Sequence, residues 1–236
     1  MSTTDTISKQ LTLFIDLLEA GEDEGGDDKK LEAALLLEEM CEGNGFGKSE
    51  KIDEIIVAKF VKAGAIKLFV KIINGHKQEC FNGFCHHIIF MAEQLIFGNE
   101  ETANLFLDQG LVPAIMGCIE SHPGDVWFLT SCLGTFCKLF CAATDDTKIF
   151  RIAKETNLLE IVTCVMEEHC TYEKRDVKGS AKLYDFACMN LLTCFFVLLE
   201  LTEEKKKDLM SRIVRAALKG LDIYPDNKLA QDAGKM

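Results

Sequence analysis

Three positions spaced 46 and 47 residues apart, Gly64, Gly110 and Asn157, stand between apolar segments of the same layout. Ile55–Phe60 leads through Ala63-Gly64-Ala65-Ile66 to Leu68–Ile73. Ala103–Leu107 leads through Gln109-Gly110-Leu111-Val112 to Ala114–Ile119, and Ile149-Phe150 leads through Thr156-Asn157-Leu158-Leu159 to Ile161–Met166. Glycine tolerates left-handed backbone without steric cost, and asparagine is the residue that best replaces it there. Each position is therefore expected to form a tight turn between two short helices. A longer apolar segment follows each pair, over residues 78–97, 125–141 and 181–200, and reads as a third helix. A unit of three short helices cannot bury its apolar face alone, so a chain with this period must stack its units into a continuous core.

Composition agrees with that architecture. The 236 residues are 48% hydrophobic, enough to fill a sizeable core, and hold only three prolines, three tyrosines and one tryptophan among long runs of Leu, Ile, Phe, Glu and Lys. This favours helices over many short strands joined by turns, and the expected class is all-α. The net charge of −12 repels phosphate backbones and anionic lipid, which argues against nucleic-acid binding. The charge is concentrated at one end: residues 1–54 hold 15 acidic and 5 basic side chains. The segment most like a membrane span, Val126 to Ala143, is interrupted by Lys138, Thr130, Ser131, Gly134 and Thr135, and Cys188 to Leu199 is too short to span, so membrane insertion is not expected. Eleven cysteines lie mostly within apolar helical runs, and Met1 to Asp5 lacks the cationic start of a signal peptide. Reduced thiols in an intracellular setting, cytoplasmic or nuclear, are the expectation.

Residues 99–140, NEETANLFLDQGLVPAIMGCIESHPGDVWFLTSCLGTFCKLF, combine a polar lead-in, a Gly followed by an apolar pair and proline, a second aliphatic helix, and an Asp-Val that opens the third. With the period near 46, this resembles the armadillo repeat. The resemblance covers residues 52–200 well and residues 1–47 and 202–220 as degenerate end units. It implies a right-handed superhelix, an α-solenoid of armadillo-like three-helix repeats, with about four or five units. The chain then divides into an acidic N-terminal helical cap or degenerate repeat (1–51), the repeat domain (52–220) and a flexible C-terminal tail (221–236). The 21–30 stretch, GEDEGGDDKK, reads as a solvated connector.

In armadillo domains that bind extended peptides, the third helices line a concave groove and carry Trp and Asn four residues apart. Aligned on the helix signature, the resemblance places Phe90, Ser131 and Met189 at the Trp positions and Gln94, Thr135 and Thr193 at the Asn positions. No repeat keeps the full pair. Trp127 falls nearer the start of its helix, where core packing is its expected role. The implied function is a non-catalytic module that binds a protein partner, either basic or an extended peptide, through the concave surface. The alternative is a structural subunit embedded in a larger multiprotein assembly, which would show apolar patches on both faces.

Other motifs fall short of chemistry. Gly43-Asn44-Gly45-Phe46-Gly47-Lys48-Ser49 has the Lys-Ser of a phosphate-binding loop, but Glu42 occupies the place of its first glycine and no strand precedes it. Cys80, Cys85, His86 and His87 are zinc-ligand types without the paired close spacings of a structural site, and Cys137 and Cys141 share a helix face but have no second pair. Neither a cofactor nor a metal is expected. His86-His87 has no nucleophile and orienting acid beside it in any family signature, so no catalytic residue is assigned.

Overall fold

The computed structural model describes residues 54–62, 64–75, 84–169, 171, 180–194, 197 and 201–224, together with Leu13, Phe14, Asp16 and Leu36. Helix accounts for 87% of these and no strand occurs among them, so the chain is all-α. Ten helices follow one another in the described chain: α1 Glu54–Lys62, α2 Ala65–Gly75, α3 Phe84–Ile96, α4 Glu100–Asp108, α5 Leu111–Ser121, α6 Val126–Ala142, α7 Asp146–Glu155, α8 Leu158–His169, α9 Ser180–Cys194 and α10 Glu203–Ile223. The residues form two compact units, which divide between Cys118 and Ile119. The 43–49 loop, Cys80 and the 21–30 connector lie outside the described residues.

The three turns read from the sequence are left-handed, with φ of 77° at Gly64, 81° at Gly110 and 51° at Asn157. Their hydrogen bonds repeat as well. The N–H of the turn residue donates to the carbonyl three residues back, on Val61, Leu107 and Lys154, and its own carbonyl accepts from Leu68, Ala114 and Ile161. The repeat extends to the helix starts. Asn99 accepts from the Thr102 N–H at 2.9 Å and Asp145 from the Lys148 N–H at 2.9 Å, so both first helices are capped by a short polar side chain. Pro113 sits in the first turn of α5, where a missing N–H costs no intrahelical bond. A Cβ built on Gly110 would lie 3.6 Å from Pro113 Cγ, an ordinary contact, so what a side chain would strain there is the backbone itself. Gly110→Val should cost about 1–2 kcal/mol of stability from left-handed strain. Urea unfolding measures this, and a loss within error of zero would mean that the turn tolerates ordinary residues.

Unit 1 is organised around Phe69 of α2, whose ring lies 6.0 Å from Phe14, 6.5 Å from Phe60 and 6.5 Å from Phe106. The Cys118 thiol of α5 donates to the Ile73 carbonyl of α2 at 3.6 Å, so one second helix rests on the one before it. In unit 2 a stronger set of groups joins two helices. Arg212 of α10 forms hydrogen bonds with Glu160, Cys164 and Glu167, three residues on one face of α8. The fork of the guanidinium grips Glu167 through Nε and Nη2. This bond holds the Glu167 carboxyl below the usual carboxylate range and the Arg212 guanidinium above its own.

Most of the described cysteines behave as small packing groups. Cys85, Cys118, Cys132, Cys137 and Cys188 are buried, Cys164 is half-buried, Cys141 is exposed, and none of these is in a disulfide. Burial pushes the Cys188 thiol up to about 12. No single helix among the described residues is long and apolar enough to cross a membrane. The apolar α6 has 17 residues, below the roughly 20 that a span requires, and most of them face the core.

Candidate partner-binding surface

The third helices are α3 in unit 1 and α6 and α9 in unit 2, and each keeps one stripe out of the core. On α6 the stripe begins with the helix cap. Asp125 Oδ1 accepts from the Phe128 N–H at 3.0 Å, which fixes the first turn and turns Trp127 to solvent. Trp127 is 48% exposed. This corrects the expectation that it packs in the core: Val126 and Phe128 on either side take the buried positions instead. Ser131, one turn on, and Lys138, two turns further, are half-buried on the same side.

On α9 the corresponding stripe holds exposed Lys182, then half-buried Asp185, Phe186 and Met189. Lys182 Nζ stands 5.4 Å over the Phe186 ring, a cation–π contact at the surface. The two helices are locked by a close approach at Gly134. A Cβ there would come within 2.8 Å of Phe186, so the glycine makes room for the aromatic ring. Asn190, 1% exposed, completes the lock by donating to the Leu133 carbonyl at 2.9 Å and to Cys137 Sγ at 3.1 Å. Its Oδ1 accepts no hydrogen bond among the described residues. In unit 1, α3 presents half-buried His86 and Phe90 one turn apart, and exposed Phe97 just past its end.

The residues aligned at the Trp positions, Phe90, Ser131 and Met189, are thus all half-buried at the edge of the solvent stripe. Of those aligned at the Asn positions, Gln94 and Thr135 sit deeper. Gln94 is 8% exposed and Thr135 0%. The Thr135 hydroxyl donates to the Ser131 carbonyl at 2.8 Å, so it serves its own helix instead of facing solvent as a groove residue would. Thr193 lies in α9, and its side chain is outside the described residues. The sequence reading places Asp125-Val126 at the start of this helix, and the exposure of Trp127 follows from that start: with Asp125 as the cap, Trp127 takes the second helical position, beside the solvent-facing loop.

Among the described residues no group of three or more His, Cys, Asp or Glu could hold a metal ion. Two clefts indent the units. One of about 510 Å³ lies beside Val57, Lys62, Asn99 and Glu101 in unit 1. Another of about 620 Å³ is lined by Lys154, Asn157, Glu160, Lys205 and Asp208 in unit 2. The polar groups of the second are of mixed sign on exposed helix ends and do not set a nucleophile against a base, so its geometry assigns no reaction. No family model and no curated protein matches the chain.

Proposed function

We propose that this chain is a non-catalytic protein-interaction module, an armadillo-like stack of three-helix units that binds a protein partner along the solvent stripes of α6 and α9. The observation that carries this reading is the exposed Trp127 at the head of the α6 stripe. A large amphipathic ring that leaves the core offers much contact area with few rotatable bonds, the character of residues that dominate binding energy at interfaces. Ser131 and Lys138 continue the α6 stripe and Lys182, Asp185 and Met189 line that of α9, groups that can fix register by hydrogen bonds and charge. The left-handed turns at one period and the repeated caps support the armadillo-like part of the proposal. The mixed signs of Lys138, Lys182 and Asp185 suit a partner that is an extended peptide more than a strongly charged one.

Affinity capture from native extract, with wild-type and Trp127→Ala baits compared by mass spectrometry, tests the reading. Affinity for partners held by this stripe should fall about 30-fold on the variant, equivalent to a hot-spot loss of roughly 2 kcal/mol. The melting temperature should change little, because the ring is half in solvent already. Equal capture by both baits would remove the α6 stripe from the binding site. Partners that stay stoichiometric and salt-resistant on both baits would favour a subunit embedded in a larger assembly.

A further inference from the structure

The outer face of α10 holds an apolar pair that the core of unit 2 does not use. Val214 and Leu218, one turn apart, are 48% and 53% exposed, while Leu209, Ile213, Ala216 and Ala217 of the same helix are buried. With about 3.6 residues per turn, Lys207, Ser211, Val214, Leu218 and Asp222 fall along one stripe, and all five are exposed. The stripe carries a cation, Lys207, and a carboxylate, Asp222, equally far from a midpoint between Val214 and Arg215, with exposed Glu203 one turn before Lys207 and exposed Arg215 flanking the midpoint. Neither Lys207 nor Asp222 takes part in an ion pair among the described residues.

A stripe with opposite charges at equal distances from its centre is complementary to its own reverse. We propose that this face is a self-association surface on which a second copy of the chain docks antiparallel, α10 against α10, about a two-fold axis between Val214 and Arg215. Lys207 of each copy then faces Asp222 of the other, Ser211 faces Leu218, and the two Val214 side chains meet beside the axis, flanked by Arg215. A parallel pairing would set Lys207 against Lys207 and Asp222 against Asp222, which like-charge repulsion disfavours. One helix pair covers less than the roughly 1,200 Å² at the lower bound of stable interfaces, so the dimer is weak and concentration-dependent. The inference does not rest on the proposed groove, because it uses a different helix and no residue of the α6 or α9 stripes.

Sedimentation of the full chain over about two decades of protein concentration tests it. The wild-type mass should climb from monomer towards dimer, and less steeply in high salt. Asp222→Lys and Lys207→Asp alone should each weaken association roughly tenfold, since each puts like charges together in two symmetric places. The double variant Lys207→Asp with Asp222→Lys should restore it. Both changes put charges at helix ends where the macrodipole favours them, so helicity by circular dichroism should hold throughout. Leu218→Glu should leave only monomer. A wild-type chain that stays monomeric at every concentration, association indifferent to Leu218→Glu, or a double variant weaker than either single one would overturn the proposal.

Discussion

Phe69→Ala is expected to destabilise unit 1 by about 3–5 kcal/mol, in the range for emptying a large aromatic site in a close-packed core. Phe69 is fully buried and meets three other rings. It stacks edge-on against Phe14 at an interplanar angle of 89° and against Phe60 at 64°, and lies tilted at 32° to Phe106. Each pair adds directional quadrupole attraction to the area it removes from water. The truncation breaks all three pairs at once, and the neighbours belong to separate helices that cannot all move in to fill the space. Phe69→Leu keeps most of the volume but loses the same ring pairs, and should cost less than the alanine variant, about 1–3 kcal/mol. Urea denaturation of both variants measures the difference. A loss below about 1 kcal/mol for the alanine variant would show that the four rings do not form one packed cluster.

The framework of the fold was legible because its punctuation is local. Gly64, Gly110 and Asn157 needed a backbone state that few residues adopt, so a short sequence window announces each turn, and the structure places all three in it. Helix content was equally plain from the apolar periodicity. The fold also uses a device that periodicity does not reveal: the α6 and α9 interlock depends on Gly134 beside Phe186 and on Asn190 reaching two groups of α6. These residues lie more than 50 positions apart in sequence, and nothing in either helix alone tells which neighbour it will meet.

The candidate surface was only half legible, and the reason lies in the composition of α6. Twelve of its 17 residues are buried, so apolar side chains occur nearly all round the helix and no stripe declares itself as the outer one. An alignment by helix signature then has no internal check on rotation. It brought Phe90, Ser131 and Met189 to the edge of solvent but put Gln94 and Thr135 under cover. Thr135 shows the physical ambiguity well. A threonine in a helix can satisfy its hydroxyl on its own backbone, so a polar residue there does not have to face water. Trp127 shows the converse, since an aromatic ring after an N-cap can lie over the loop and remain in solvent.

Gly220→Ala should cost about 1–5 kcal/mol, although alanine is the better helix former. Gly220 is buried in α10, and a Cβ at that position would fall inside the ring of Tyr184. Tyr184 cannot step aside: it is fully buried, its ring lies 5.5 Å from that of Tyr224, and its hydroxyl donates to the Ala217 carbonyl at 3.0 Å. Displacing it combines overpacking, about 1–3 kcal/mol, with a buried hydroxyl and carbonyl left without each other, roughly another 1–3 kcal/mol. Against these, the helix gains about 1 kcal/mol from replacing glycine. Gly75 provides the control, because nothing lies within 4 Å of a Cβ added there, and Gly75→Ala at the end of α2 should be neutral or slightly stabilising. A double-mutant cycle isolates the cause. If the ring is the obstacle, Gly220→Ala should be far milder in a Tyr184→Val background, leaving an interaction energy of at least about 1 kcal/mol between the two sites. Additive losses would place the cost of Gly220→Ala somewhere other than in its contact with Tyr184.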